Sequence, residues 1–293
     1  MSNIVQVSNL TKYYGKKLGI ENVTFFMNEG EVYGLMGPNG AGKTTTLRAM
    51  LNLILPTSGE AIIFGKHFKE LNKAELSQIS YLPGEFEMYQ NLTGEQYLNY
   101  ISSLRSATVN NTNILAERLD LNLNSKIKTL SKGNKQKIGI IQAFMNNPKL
   151  AILDEPTSGL DPLKQQEFQN IVQEQNNLGC SVLLSSHILG EIEDLCERVG
   201  IIKNGNIVAS EQISDLKNKT IKKYEITFDN APKISDFKNV ENISKLELQG
   251  NTITLNIKGT IDILLKVISK FTVLNLRIIE PSLEEIFLTF YKE

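Results

Sequence analysis

Short, continuous apolar runs alternating with helical stretches predict an α/β fold, a mostly parallel sheet covered by helices on both faces. Three observations carry that expectation. Val32–Met36, Leu150–Leu153 and Ser181–Ser185 read as strands buried on both sides. Between the first of them and a helix-like run, Thr45–Leu51, lies Gly37-Pro38-Asn39-Gly40-Ala41-Gly42-Lys43-Thr44, the strand–loop–helix setting of a phosphate-binding loop. From about Ser214 onward the glycine motifs cease and a strand, hairpin, helix, strand and helix pattern follows, which predicts a small appended α+β domain.

Ile4–Val7 and Val23–Phe26 read as strands ahead of Val32–Met36. Pro56-Thr57-Ser58-Gly59 reads as a turn before a short strand, Glu60–Phe64, and Ile79–Leu82 is a strand that stops at Pro83-Gly84. From Gly94 to about Ser131 the pattern is helical and polar, predicting an inserted helical subdomain at about 88–145. Ser131 stands where an N-cap stands, ahead of Ile138, Ile141, Phe144 and Met145 at helical spacing. Pro162–Leu178 reads as a helix, and Val199–Ile202, Asn204-Gly205 and Ile207–Ala209 as a hairpin. These elements place a first domain at 1–215 and a second at 216–293. In the second, Tyr224–Phe228, Lys245–Leu248 and Thr252–Ile257 read as strands, with a turn at Gly250-Asn251. Ile261–Phe271 reads as an amphipathic helix and Val273–Ile279 as a strand, and Ser282 with Glu285 fits a capping box for a final helix.

Over 293 residues, 31 Lys and Arg oppose 32 Asp and Glu. No global basic field results, which argues against a nucleic-acid partner. No apolar run approaches the roughly 20 residues that span a bilayer, and Met1–Leu10 holds no signal-peptide core. A membrane role is therefore expected through a partner. Cys180 and Cys196 lack metal-ligand spacing and read as reduced thiols.

Gly37, Gly40 and Gly42 let backbone N–H groups turn inward around phosphate oxygens. Lys43 adds positive charge for the β- and γ-phosphates, the Thr44 hydroxyl is a Mg²⁺ ligand, and the helix N-terminus behind them favours an anion. Together they predict a bound nucleoside triphosphate. Asp154 and Glu155 follow the apolar run Leu150–Leu153. There Asp154 is placed to hold Mg²⁺ from behind its inner ligands and Glu155 to polarise an attacking water. The bland alternative, a strand running into a solvated turn, loses ground beside a phosphate loop.

Leu130-Ser131-Lys132-Gly133-Asn134-Lys135-Gln136 resembles the L-S-G-G-Q signature of ATP-binding cassette (ABC) proteins in variant form. Ser158-Gly159-Leu160-Asp161 resembles the family's D-loop, and Ser186-His187 the site of its switch histidine. Glu280-Pro281-Ser282-Leu283-Glu284-Glu285-Ile286-Phe287 resembles the end of an appendage common among bacterial exporter ATPases. The resemblance implies a P-loop NTPase fold, the ABC nucleotide-binding domain. Its parts are a RecA-like core, an antiparallel β subdomain and an inserted helical subdomain. It implies Lys43, Glu155 and His187 as catalytic residues, and Tyr14 as the aromatic that stacks on adenine, with Tyr13 packing instead. ATP would lie on Gly37, Asn39, Gly40, Gly42, Lys43, Thr44 and Thr45, with Mg²⁺ at Thr44 and Asp154. Ser131, Gly133, Asn134 and Asp161 would contact the ATP held by an opposite subunit. With one loop and one signature per chain, a complete site then needs two chains, as a homodimer or a heterodimer.

Two departures stand out. The signature carries Lys132 for a glycine and Asn134 for the glutamine. The family's glutamine after the Ile79–Leu82 strand is missing, so that Glu85 either takes over its contact to Mg²⁺ or water, or the contact is absent. Phe86, Met88 and Tyr89 in the same loop either tuck into the helical subdomain or form a socket for a permease helix. His67, in a polar turn, reads as surface. The implied function is an ATP-hydrolysing subunit at the cytoplasmic face of the cell membrane. It would energise a separate permease for export of drugs, peptides or lipids. Alternatives are an ABC ATPase acting on ribosomes or DNA, and a module that holds ATP without turnover. The absence of a heptad run between Thr44 and Ser131, the single cassette and the intact catalytic residues speak against them.

Overall fold

A computed structural model describes residues 2–105, 111–219, 222–230, 232–237, 240, 243–257 and 261–279. The expected final helix at Ser282 and the Glu280–Phe287 stretch lie outside the described residues. The chain forms two compact units, Met1–Glu211 and Gln212–Glu293.

The first unit begins with two long strands, β1 (Asn3–Tyr14) and β2 (Lys17–Asn28), joined by a tight turn at Gly15 with φ 61°. Sequence alternation locates only short pieces of them. Register shifts along their pairing and a left-handed Asn9 (φ 50°) break the period-two pattern, which explains the shortfall. β3 (Val32–Met36) leads into α1 (Lys43–Met50), and β4 (Ser58–Ile63) and β5 (Lys66–His67) complete an antiparallel sheet in the order β2-β1-β4-β5. The short helix α2 (Lys73–Ser77) precedes β6 (Ile79–Leu82); Asn72 and Glu75 close it with a reciprocal capping box. Three helices follow: α3 (Gly94–Arg105), α4 (Thr112–Arg118) and α5 (Lys132–Phe144). The chain then returns through β7 (Leu150–Asp154), α6 (Pro162–Asn177), β8 (Ser181–Ser186), α7 (Leu189–Leu195), β9 (Arg198–Lys203) and β10 (Asn206–Gln212).

The central sheet runs β10-β9-β3-β8-β7-β6, and β9, β3, β8, β7 and β6 pair in parallel. β3, β7 and β8 are buried at every residue, as strands covered on both faces must be. Asn204 and Gly205, both left-handed, make the two-residue turn between β9 and β10. One apolar core joins the two sheets through α1: Val5, Leu10, Ile20 and Phe25 pack with Tyr33, Leu47, Met50 and Ile152. α6 starts with Asp161 accepting the Lys164 N–H at 3.0 Å and Pro162 in its first turn. Arg118 on α4 grips Glu167 at 2.5 Å and Glu174 at 2.5 and 2.9 Å, both on α6. Cys180 and Cys196 are buried free thiols, and burial pushes the Cys180 thiol up to about 12.

The second unit holds α8 (Ile213–Lys219), β11 (Lys222–Phe228), β12 (Ile243–Gln249), β13 (Thr252–Ile257), α9 (Asp262–Ile268) and β14 (Val273–Ile279). Its antiparallel sheet, β12-β13-β11-β14, buries Tyr224, Ile226, Phe228, Ile253 and Leu255 against Leu264 and Ile268. Among the described residues no helix is long and apolar enough to cross a membrane.

The fully buried Phe144 closes α5 within the helical insertion. Phe144→Ala should cost about 3–5 kcal/mol in urea unfolding followed by circular dichroism. A cost below about 1 kcal/mol would mean the site is not packed as described.

Candidate functional site

The carboxyl ends of β3, β8 and β7 lie side by side, with Met36 opposite Ser186 and Asp154 opposite Ser185. Ligands of open parallel sheets sit beyond that edge. From β3 the chain turns through the glycine loop into α1. A Cβ on Gly37 would lie 2.4 Å from the Ile202 carbonyl oxygen, so β9 leaves room there for glycine alone. Gly42 caps α1 at φ 114°, a conformation that side-chain-bearing residues rarely adopt.

Lys43 is only 5% exposed. It donates to the carbonyls of Gly37 at 2.6 Å and Pro38 at 3.3 Å, and lies 2.9 Å from Glu155 Oε1. That last contact is charge attraction, because this oxygen has no aligned hydrogen bond. The other Glu155 oxygen is 2.6 Å from His187 Nδ1. Glu155 has φ 49°, a strained conformation for a residue with a side chain and one that gathers at functional sites. Its N–H holds the turn by donating to the Ser185 carbonyl and hydroxyl, each at 3.1 Å.

Asp154 is fully buried. Its Oδ2 accepts from the Thr44 hydroxyl at 2.7 Å and its Oδ1 from the Ser185 hydroxyl at 2.5 Å. Two hydroxyls and a carboxylate beside a phosphate loop form an all-oxygen set, which suits a hard cation such as Mg²⁺. Among the described residues no group of three His, Cys, Asp or Glu could hold a metal. A cation here would thus depend on phosphate and water oxygens, as Mg²⁺ commonly does.

A cleft of about 470 Å³ runs along the loop, lined by Tyr14, Lys17, Asn39, Gly40, Lys43 and Thr45 among others. The half-exposed Tyr14 carries Lys12 Nζ 5.4 Å from its ring centre, whereas the Tyr13 hydroxyl donates to Glu21 at 3.1 Å. A second cleft of about 440 Å³ is lined by Thr44, Glu85, Lys132, Asp154, Glu155 and His187. The Gly84–Glu85 loop therefore borders the same space as the paired carboxylates. Ser131, Gly133, Asn134 and Asp161 line neither cleft. The Ser131 hydroxyl accepts the Asn134 N–H at 3.2 Å at the start of α5. Gly133 lies so close to Gly159 that a Cβ would sit 2.6 Å from its carbonyl oxygen. Of the loop's apolar side chains, Phe86 packs on Gly139 of α5 and Met88 is buried, while Tyr89 stays exposed, edge-on to Tyr100 at 5.5 Å.

Sequence reasoning passed over Ser185 and Gln136. The Gln136 amide donates to the Pro156 carbonyl at 2.8 Å, bracing the turn after Glu155 from α5. Its place at the end of the signature-like segment Leu130–Gln136 was the available hint. The model of the family described as ABC transporter matches residues 20–158. The ABC transporter ATP-binding protein YcbN of Bacillus subtilis (strain 168), itself uncharacterized, is 36% identical over 237 residues, covering 78% of this chain and 76% of that protein. The chain belongs to the ABC transporter family of ATP-binding proteins. The bacitracin transport ATP-binding protein BcrA of Bacillus licheniformis is likewise 36% identical, over 77% of this chain and 75% of that one. The dimeric structure of the bacterial ABC transporter cassette MJ0796 superposes with a TM-score of 0.65 at 25% identity, covering 71% of this chain and 98% of that one. The residues that the family model matches all lie within the first compact unit.

Gly37→Ala should leave the far-ultraviolet spectrum intact but weaken fluorescent ATP-analogue binding by about tenfold or more, the overpacking strain falling on the loop. Unchanged affinity would show that the Gly37–Ile202 approach does not shape the loop.

Proposed function

We propose that this chain hydrolyses ATP to drive a separate integral-membrane permease, working as a peripheral subunit on the cytoplasmic face of the cell membrane. The observation that carries the reading is the convergence of Lys43, Asp154, Glu155 and His187 on the phosphate loop. The loop N–H groups and Lys43 would take the β- and γ-phosphates, Lys43 giving up its carbonyl partners for phosphate oxygens. Thr45 and Asn39 would complete the cradle and Tyr14 would stack on adenine. Glu155 would orient a water and receive its proton, and His187 would hold Glu155 in place and reach the γ-phosphate. Thr44 and Asp154 would hold Mg²⁺, with Glu85 at the border of that space; bound there, the ion neutralises charge on the phosphate oxygens.

Ser131, Gly133, Asn134 and Asp161 are assigned to the ATP of a second ATPase subunit, in a homodimer or heterodimer. That none of the four lines either cleft of this chain supports the assignment, as does the dimeric state named for MJ0796. Residues 1–215 would form the ATPase domain and 216–293 an accessory domain. We take the transport to be export of drugs, peptides or lipids; the bacitracin transport named for BcrA supports the drug part of that reading. No nucleic acid enters the scheme. Tyr89 and Tyr100 form the outward aromatic pair beside the Glu85 loop, and we assign them to the permease contact.

Glu155→Gln should still bind ATP but turn it over at least about 100-fold more slowly, measured as phosphate release. Used as bait on detergent-solubilised native membranes, it should retain a polytopic membrane protein in stoichiometric amount. Recovery of ribosomes or DNA-associated proteins instead would overturn the transport reading. Tyr89→Ala with Tyr100→Ala should abolish stimulation of ATPase activity by that permease and leave basal turnover within about twofold; retained stimulation would remove the aromatic pair from the contact.

A further inference from the structure

Glu191 lies on α7, outside both clefts, and is only 4% exposed. Burying a carboxylate is costly unless it is fully hydrogen-bonded. Its two oxygens each take a different partner. Oε1 accepts the Thr157 hydroxyl and Oε2 accepts the Ser186 hydroxyl at 2.6 Å; both donors are buried. Thr157 stands two residues after Glu155, and Ser186 immediately precedes His187. One carboxylate therefore ties together the two backbone turns that carry Glu155 and His187.

The tie closes a ring. From Glu191 it runs through Thr157 and Pro156 to Glu155, across the 2.6 Å contact to His187, and back through Ser186. Other contacts stiffen each side. The Ser186 hydroxyl also receives the Ile188 N–H at 2.9 Å, and its carbonyl accepts the Gly37 N–H of the phosphate loop at 3.4 Å. The Pro156 side is held by the Gln136 amide. α7 itself is seated on β3 at a glycine: a Cβ on Gly34 would lie 2.7 Å from Ile192 Cδ1 and 3.0 Å from Cys196 Sγ. The helix bearing Glu191 is thus fixed to the strand that feeds the loop. Burial raises the Glu191 pKa, and the Ser186 and Thr157 hydroxyls oppose that shift by favouring the carboxylate.

An apolar side chain would fasten a helix to a sheet without the desolvation cost. We infer that Glu191 is a positioning residue for ATP hydrolysis, setting the spacing of Glu155 and His187 through Thr157 and Ser186 while touching neither ATP nor water. The inference rests on the hydrolytic reading of the site, which the turnover of the wild-type chain tests by itself. Misplacement of reacting groups by about 1 Å costs up to about 100-fold in rate.

The test measures ATPase kcat and KM, ATP-analogue Kd and thermal midpoint for Glu191→Ala, Glu191→Gln, Thr157→Val and Ser186→Ala in the full chain. Glu191→Ala should lower kcat about tenfold or more, with KM and Kd within about threefold of wild type. Glu191→Gln, which keeps the shape and one acceptor, should recover part of the loss. Should Glu191→Ala fail to fold, the two hydroxyl variants carry the test, each expected to lower kcat at unchanged Kd. Wild-type kcat in the folded variants would overturn the inference. So would loss of kcat, Kd and thermal midpoint in proportion, which is the mark of a merely structural contact.

Discussion

A nearly dehydrated ammonium group governs the architecture of this site. Leaving Lys43 unpaired at 5% exposure would cost several kcal/mol, so the chain must bring acceptors to it from separate elements. The loop gives two carbonyls and the end of β7 gives Glu155. Parallel pairing makes this possible, because it sets the carboxyl ends of β3, β8 and β7 level with one another. Gly37 and Gly42 follow from the same demand, since the loop that folds its carbonyls around the ammonium presses against Ile202 at both. In the proposed function a triphosphate entering the loop would offer the same ammonium stronger acceptors, turning a stored electrostatic arrangement into a binding site.

Glu155 then has to face two ways, one oxygen toward Lys43 and one toward His187. Its left-handed backbone achieves this at a cost of about 1–3 kcal/mol. Hydrogen bonds to Ser185, the Gln136 brace on Pro156 and the Glu191 ring over-determine that turn. Strain, brace and charge thus meet on one residue, which is where the proposed chemistry would occur.

The loop, the paired carboxylates and the strands that carry them were legible because each depends on local rules: glycine spacing, a buried apolar run, an N-cap. Ser131 and Ile79–Leu82 stand where those rules put them. β1 and β2 were only partly legible, since bulges interrupt their alternation. Phe86 could have faced either way in sequence; what draws it inward is the space at Gly139, which lies far along the chain. Glu191 reads as an ordinary surface acid on a polar helix. Its role emerges only when folding brings Thr157 and Ser186, 29 residues apart, onto the same carboxylate.

The central claim is that a working site takes its phosphate loop from one chain and its signature from another. Complementation tests it most directly: ATPase activity of Lys43→Ala mixed with Ser131→Arg, each inactive alone. In a mixed dimer both lesions fall in one site and the other is wholly intact. The account predicts that mixing restores turnover, to roughly a quarter of the wild-type rate if sites fire independently. No recovery in a mixture shown by sedimentation to contain mixed dimers would contradict it.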